Sequence, residues 1–338
     1  MHNFNIIKRE IEFCGRKLYV ETGRIAKQAN GSVFIRYGDT SVLVTATMSK
    51  EAAENQDFFP LTVDYIEKMY ASGKIPGGFF KREAKPTTDA TLSARVIDRS
   101  IRPLFPDGFR NQVHVVLNVL SFDGINDPSA LGVFGASLAL TISDIPFKGP
   151  IAGVTVGYID DQIVVNPAMA DVNEKSKLNL AVAASATSVV MIESAAQELS
   201  EETMLDAVYA GHEEIKKLCA LQNDFAAEAA KPKVEVVLVG IPEEIMAKVE
   251  ADYGKTIAEA AVILGKQERQ DAFDNAEAEM LEKYLAENEE TYEENEKWYK
   301  AAYEELIRRY VRDSILNKHH RVDGRGLDDL RDITCEID

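Results

Sequence analysis

The sequence predicts an α+β core followed by a small all-helical segment. Residues 17–221 mix β-branched apolar runs, separated by turn residues, with two stretches of helical period. From Glu243 to Leu316 the chain is built of Ala, Glu, Lys, Tyr and Leu, with no proline and glycine only at Gly254 and Gly265. Near its end Gly324-Arg325-Gly326-Leu327 echoes Gly15-Arg16-Lys17-Leu18, as if a second copy of the first domain were opening. These observations divide the chain into a first domain over 1–235, a helical domain over 242–317 and the start of a truncated further domain over 318–338.

Lys17–Thr22, Ser32–Tyr37 and Thr40–Thr47 read as strands, with Gly31 and Tyr37-Gly38-Asp39 as the breaks between them. Gln112–Phe122 (QVHVVLNVLSF) is a further buried strand. Asp127-Pro128-Ser129 reads as a helix start, with Asp127 as the cap, Pro128 in the first turn and an apolar body to Ile142. Ile151–Ile159 and Gln162–Val165 form a hairpin around Asp160-Asp161, and Asn179–Ala184 and Val189–Glu193 are strands. Ser200–Leu221 places Met204, Leu205, Val208, Ile215 and Leu218 at helical period. In the helical domain Gly254 and Gly265 are the expected breaks between three helices, and Tyr284, Tyr292, Trp298, Tyr303 and Leu306 the expected inward anchors. Ile333–Ile337 is expected to be β-like.

Composition excludes several classes. The longest apolar stretch, Ala130–Ile142, has 13 residues and includes Gly132, Gly135 and Ser137, short of the ~20 that a spanning helix needs. The first residues carry no apolar signal core, so the expected location is cytoplasmic. Three cysteines without a C-x-x-C pair, and five histidines without H-x-x-x-H, suggest neither a disulfide scaffold nor a zinc site.

The net charge of −18 argues against a nucleic-acid partner for the chain as a whole, but the charge is unevenly spread. Residues 241–310 hold 19 acids and 9 bases, whereas residues 68–102 hold 8 bases and 3 acids. Screening over ~8 Å makes the second segment a legitimate anion site in an acidic protein. Within it Gly73, Pro76, Gly77 and Gly78 form a loop presenting Phe79-Phe80-Lys81-Arg82, two stacking surfaces beside two cations. Single-stranded RNA is bound by that pairing, with rings taking base faces and cations neutralising phosphates. A phenylalanine pair tucked into the core, with its flanking charges solvated, is the competing reading. Arg95, Arg99 and Arg102 recur at helical spacing and either reach phosphate or pair internally, for example with Asp98. Ser72-Gly73-Lys74 lacks the spacing of a nucleotide phosphate loop.

FFKRE, ARVIDRSIRPLFPDGF, FGASLAL, IPFKGPIAGVTVGYI and the late RVDGRGLDDLR closely resemble the polynucleotide phosphorylase family, in the family's order and over essentially the whole chain. The resemblance implies a ribonuclease PH-like first core (ribosomal protein S5 domain 2-like), a helical linker domain and the opening of a second ribonuclease PH-like core. It also implies phosphorolytic 3′-to-5′ degradation of single-stranded RNA, reversible to untemplated polymerisation, with Mg²⁺ and inorganic phosphate used in the second core. The further implied features are a homotrimeric ring, RNA-degradosome partners and no membrane association. The family's Phe-Phe-Arg-Arg channel motif falls on Phe79, Phe80, Lys81 and Arg82, with lysine at its third position.

Laying the family's D-x(5)-D-x-K catalytic motif on Asn173–Ala181 puts amides at Asn173 and Asn179 and a methyl at Ala181, so no catalytic or metal residue is expected in this segment. Ser129 lies near one phosphate-binding serine of the family but reads as helix-start chemistry. A non-catalytic RNA-binding ring subunit of exosome type is the alternative reading.

Overall fold

Val33, Ile35, Val42 and Val44 are buried while Phe34, Arg36, Leu43 and Thr45 beside them are partly or fully exposed, and a strand of that pattern must bury one face. In a computed structural model describing residues 5–337 apart from 54, 55, 80 and 84, they do so in a six-stranded sheet. Its strands are β1 (Ile7–Phe13), β2 (Arg16–Thr22), β3 (Gly31–Tyr37), β4 (Thr40–Met48), β5 (Leu61–Glu67) and β6 (Val113–Ser121). They lie in the order β1-β2-β3-β4-β6-β5, all antiparallel except β5 beside β6, where Tyr65 pairs with Leu117. A parallel pair needs a crossover. Here α1 (Thr88–Ile101) supplies it and packs back onto β5.

A second, antiparallel sheet orders β10 (Val189–Ala196), β9 (Leu178–Ala184), β7 (Ala152–Ile159) and β8 (Gln162–Val165). Between the sheets runs α2 (Ala130–Ile142), against β3 and β4 on one side and β7 on the other. Eleven of its thirteen residues are buried, as a helix apolar all round must be. Glycine makes this approach possible: a Cβ on Gly135 would stand 2.7 Å from Val44 Cγ2 and 2.9 Å from Ile35 Cδ1. The long α4 (Glu201–Ala229), capped by Ser200 through the Thr203 N–H, covers β7 and β9. A short α3 (Met169–Glu174) precedes β9.

The α2 start departs from expectation. Pro128 and Ser129 precede the helix, and Asp127 binds the Ser129 N–H (2.8 Å) and hydroxyl (2.7 Å) rather than capping a helical turn.

The chain divides into compact units between Val239 and Gly240. After α4, a strap returns along the first unit: the N–H groups of Lys231, Val234 and Val239 donate to the carbonyls of Ile142, Asp144 and Gly108. Lys233 Nζ donates to the carbonyls of Leu140 (2.8 Å), Thr141 (3.1 Å) and Ser143 (2.8 Å) at the end of α2. Residues 1–239 are therefore proposed as the minimal folding unit, slightly longer than the sequence boundary at 235 suggests. Expressed alone, they are expected to give fixed near-ultraviolet circular dichroism and one cooperative melt. A molten 1–239 would mean that its core is completed elsewhere.

The second unit holds α5 (Glu243–Ala260), α6 (Lys266–Glu287) and α7 (Glu289–Lys318) around Tyr253, Phe273, Met280, Tyr284, Tyr303 and Leu306. Three helices are as expected, but the breaks fall at 261–265 and at Asn288, not at Gly254. Gly254 sits inside α5, buried, where a Cβ would stand 3.0 Å from Tyr310 Oη, so it serves helix packing. Trp298 is only half-buried and lies outside this core; Tyr292 and Tyr299 pack at its edge. Ile333–Ile337 is irregular rather than a strand, with Ile333 and Ile337 exposed.

Candidate nucleic-acid interface

The basic segment hangs from the C-terminal end of β5. A 3-10 turn, Met69–Ser72, ends at Gly73 in the left-handed region (φ 68°), and it is tied to the sheet by the Phe122 N–H donating to Ala71 O (2.9 Å). The chain then runs out as a loop with Gly78 at φ 74° and Lys81 at φ 51°. Left-handed backbone on a lysine is strained by about 1–3 kcal/mol. Phe79 is 93% exposed, which removes the core-packing reading for this ring. Phe80 lies outside the described residues. Lys81 and Arg82 are exposed beside Phe79.

Both stems of the loop return to one residue. The Lys74 N–H donates to Met69 O (3.0 Å), and Glu83 Oε1 accepts the Met69 N–H (2.9 Å) while its Oε2 meets Lys68 Nζ (3.1 Å). The Met69 N–H and Lys68 together hold the Glu83 carboxyl below its ordinary range. Nothing in the sequence singles out Glu83, because its partners are a backbone group and a lysine 14 and 15 residues away.

α1 follows, capped by Thr87, which accepts the Ala90 N–H (3.1 Å), with Asp89 in the first turn where the helix dipole favours it. The three arginines separate in role. Arg102 forms a fork with Asp98 (2.7 Å to each oxygen), donates to the carbonyls of Phe59 (3.1 Å) and Leu61 (3.2 Å), and lies over the Phe59 ring. Hydrogen bonds to Asp98 raise its already high pKa. Arg99 pairs with Glu193 on β10. Arg95 is exposed and lines a shallow cleft with Val63, Thr91 and Ala94.

The positions matched to the family's catalytic motif come together elsewhere. Asn173 on α3 and Asn179 on β9 face a cavity of about 70 Å³ with Arg16, Asn126, Asp127 and Asn166. Ala181 opens onto the neighbouring cleft beside Ser129. Two of the cavity's polar groups are engaged: Arg16 Nη1 donates to Asn166 O (2.9 Å), and the Asp127 carboxylate is taken up by Ser129, whereas Asn126 Oδ1 is buried without a hydrogen-bond partner. Asn126 is held by Asp123, whose carboxyl burial would raise; hydrogen bonds from Asn126, Ile125 and Asp39 instead bring it down to about 2.

Amides and one engaged carboxylate do not fit Mg²⁺, which needs carboxylate and water oxygens in octahedral array. Among the described residues no group of three or more His, Cys, Asp or Glu is placed to hold a metal ion. Nor is any described helix long and apolar enough to cross a membrane.

Comparison with known proteins matches residues 15–146 to "3' exoribonuclease family, domain 1" and residues 149–214 to "3' exoribonuclease family, domain 2". Residues 244–326 match "Polyribonucleotide nucleotidyltransferase, RNA binding domain". Among curated relatives, the polyribonucleotide nucleotidyltransferase of Natranaerobius thermophilus is 48% identical over 333 residues, covering 97% of this chain and 46% of that protein. That of Bacillus subtilis (strain 168) is 49% identical over 327 residues, again 97% and 46%. That of Lactococcus lactis subsp. cremoris (strain SK11) is 48% identical over 330 residues, 97% and 42%. The chain thus spans somewhat less than half the length of the curated relatives it matches. With both exoribonuclease domain models in succession and the helical RNA-binding model after them, the chain belongs to the 3′ exoribonuclease family and has the domain order of its polyribonucleotide nucleotidyltransferases.

Proposed function

We propose that this chain is the RNA-engaging, non-catalytic part of a phosphorolytic 3′-to-5′ exoribonuclease acting on single-stranded RNA. In the complete protein, inorganic phosphate attacks the phosphorus of the 3′-terminal phosphodiester. The P–O3′ bond breaks, a nucleoside 5′-diphosphate leaves, and the shortened RNA keeps a 3′-hydroxyl. The reverse reaction extends RNA without a template. Mg²⁺ belongs to a second core outside this chain, and the assembly is a cytoplasmic homotrimer open to RNA-degradosome partners. Phe79, Phe80, Lys81 and Arg82 engage the RNA. Arg95 is the best placed of the three arginines to add a phosphate contact, since Arg99 and Arg102 already serve Glu193 and Asp98.

The observation that carries this reading is the loop itself: an aromatic ring 93% exposed, next to a lysine and an arginine that are also exposed, on an otherwise acidic protein.

The test is a salt titration of RNA binding. Replacing Lys81 and Arg82 by alanine is expected to weaken binding across sequences. It should also flatten the log–log salt slope by about 0.7 for each phosphate no longer neutralised. Phe79→Ala is expected to cost about 1–3 kcal/mol for the base it stacks, with the slope little changed. Its melting temperature should stay that of the parent, since the ring contributes little to the core. RNA affinity indifferent to all of these changes would remove the assignment.

A further inference from the structure

Glu83 is the one carboxylate in the run Phe79–Lys85, and its position sets a puzzle for an RNA-facing loop. A negative charge one residue from Arg82 repels the phosphates that the loop gathers. Its geometry supplies the reason for it. Oε1 accepts the Met69 N–H at 2.9 Å and Oε2 meets Lys68 Nζ at 3.1 Å, with the Glu83 and Lys68 side chains only about one-third exposed (34% and 30%). The other stem of the loop is fixed at the same residue, by the Lys74 N–H on Met69 O at 3.0 Å. The Met69 peptide groups thus close a loop whose interior carries Gly73, Gly77 and Gly78 and would otherwise be slack. Met69 in turn begins the 3-10 turn that Ala71 ties to the end of β6.

Resting on the RNA-loop reading above, we infer that Glu83 is a positioning residue: its clasp on Met69 and Lys68 fixes the height and orientation at which Phe79, Lys81 and Arg82 meet RNA. A preorganised loop does not have to be ordered by the ligand, so the clasp is worth affinity although it touches no nucleotide.

Two expectations of opposite sign separate this from a plain charge effect. By Coulomb's law alone, removing a carboxylate beside an RNA site tightens binding. The clasp predicts that Glu83→Ala weakens it, by about tenfold, because the loop must be reordered on each binding event. Glu83→Asp keeps the charge but, one methylene shorter, cannot span both partners, and is expected to weaken binding to a similar degree. Glu83→Gln keeps an acceptor for the Met69 N–H but turns an amide N–H₂ toward Lys68, so it holds one partner of the two and should bind between Glu83→Ala and the parent.

The experiment measures anisotropy of a labelled oligo(A) with the 338-residue chain, for these variants and for each in a Lys81→Ala/Arg82→Ala background, with melts run alongside. If Glu83 acts through the loop cations, Glu83→Ala adds less than about twofold in that background, the non-additivity of coupled groups. A Glu83→Ala or Glu83→Asp protein that binds like the parent or tighter, or a loss repeated in full without Lys81 and Arg82, overturns the clasp while leaving the loop reading intact. Unchanged affinity of the Lys81→Ala/Arg82→Ala protein itself overturns the loop reading, and the clasp falls with it. Should Glu83→Ala not fold, Glu83→Asp against the parent decides the matter: weaker binding at unchanged charge supports the clasp, and equal binding overturns it.

Discussion

Replacing Gly31 by alanine is expected to cost the first unit about 3 kcal/mol, the upper end for overpacking a close-packed core. The cause is a collision with backbone rather than with a side chain able to turn away. Gly31 opens β3 where the last turn of α2 crosses it, and a Cβ there would stand 2.0 Å from Ala139 O and 2.9 Å from Ser143 Cβ. The end of α2 would have to lift, and with it the carbonyls of Leu140 and Ser143 that hold Lys233. At about 2–4 °C per kcal/mol for a domain of this size, the melting temperature should fall by about 6–12 °C. Gly77→Ala is the matched control: nothing lies within 4 Å of its added methyl, so the change should stay within about 0.5 kcal/mol. A Gly31→Ala protein that melts with the parent would contradict the placement of α2 against β3.

The strands read most easily from the sequence are those with one buried face and β-branched content, β3, β4 and β6, whose period is written in Val33, Ile35, Val42, Val44, Val113, Val115 and Leu117. β1 is hidden because Lys8, Arg9, Glu10 and Glu12 interrupt it; as an edge strand it tolerates them, paired with β2. β5 carries an alternation of Leu61, Val63 and Tyr65 with exposed Thr62 and Asp64, but Glu67 closes its inward face. Gly254 misleads because glycine ends helices more often than it packs them, and only the approach of Tyr310 reveals which it does here. Ile333–Ile337 carries strand propensity without a partner, and a strand is not stable without one.

At the candidate site, the loop and its residue types are legible in the sequence, and so is the alternative that Arg102 pairs with Asp98, a spacing of i,i+4. The pairing of Arg99 with Glu193 and the clasp of Glu83 on Met69 are not, because each joins groups that only the fold brings together.

The 338-residue chain is also expected to have no phosphorolytic activity of its own, a larger functional effect than any single substitution above. Asn173 and Asn179 supply neutral amide oxygens where charge neutralisation of a metal would be required, and Ala181 has no proton to give. Asp127, the carboxylate lining that cavity, already accepts two hydrogen bonds from Ser129. Restoring one carboxylate by Asn179→Asp would still leave the acid position empty, so even that variant should stay inactive. The most direct measurement is therefore paired on one contaminant-free preparation: retention of single-stranded poly(A), and release of nucleoside diphosphate from it with phosphate and Mg²⁺ present. The expected result is RNA bound through a salt-sensitive, Lys81- and Arg82-dependent interaction and no diphosphate above a no-enzyme blank. Robust release of ADP from poly(A) would contradict it, and would place a catalytic centre within these residues.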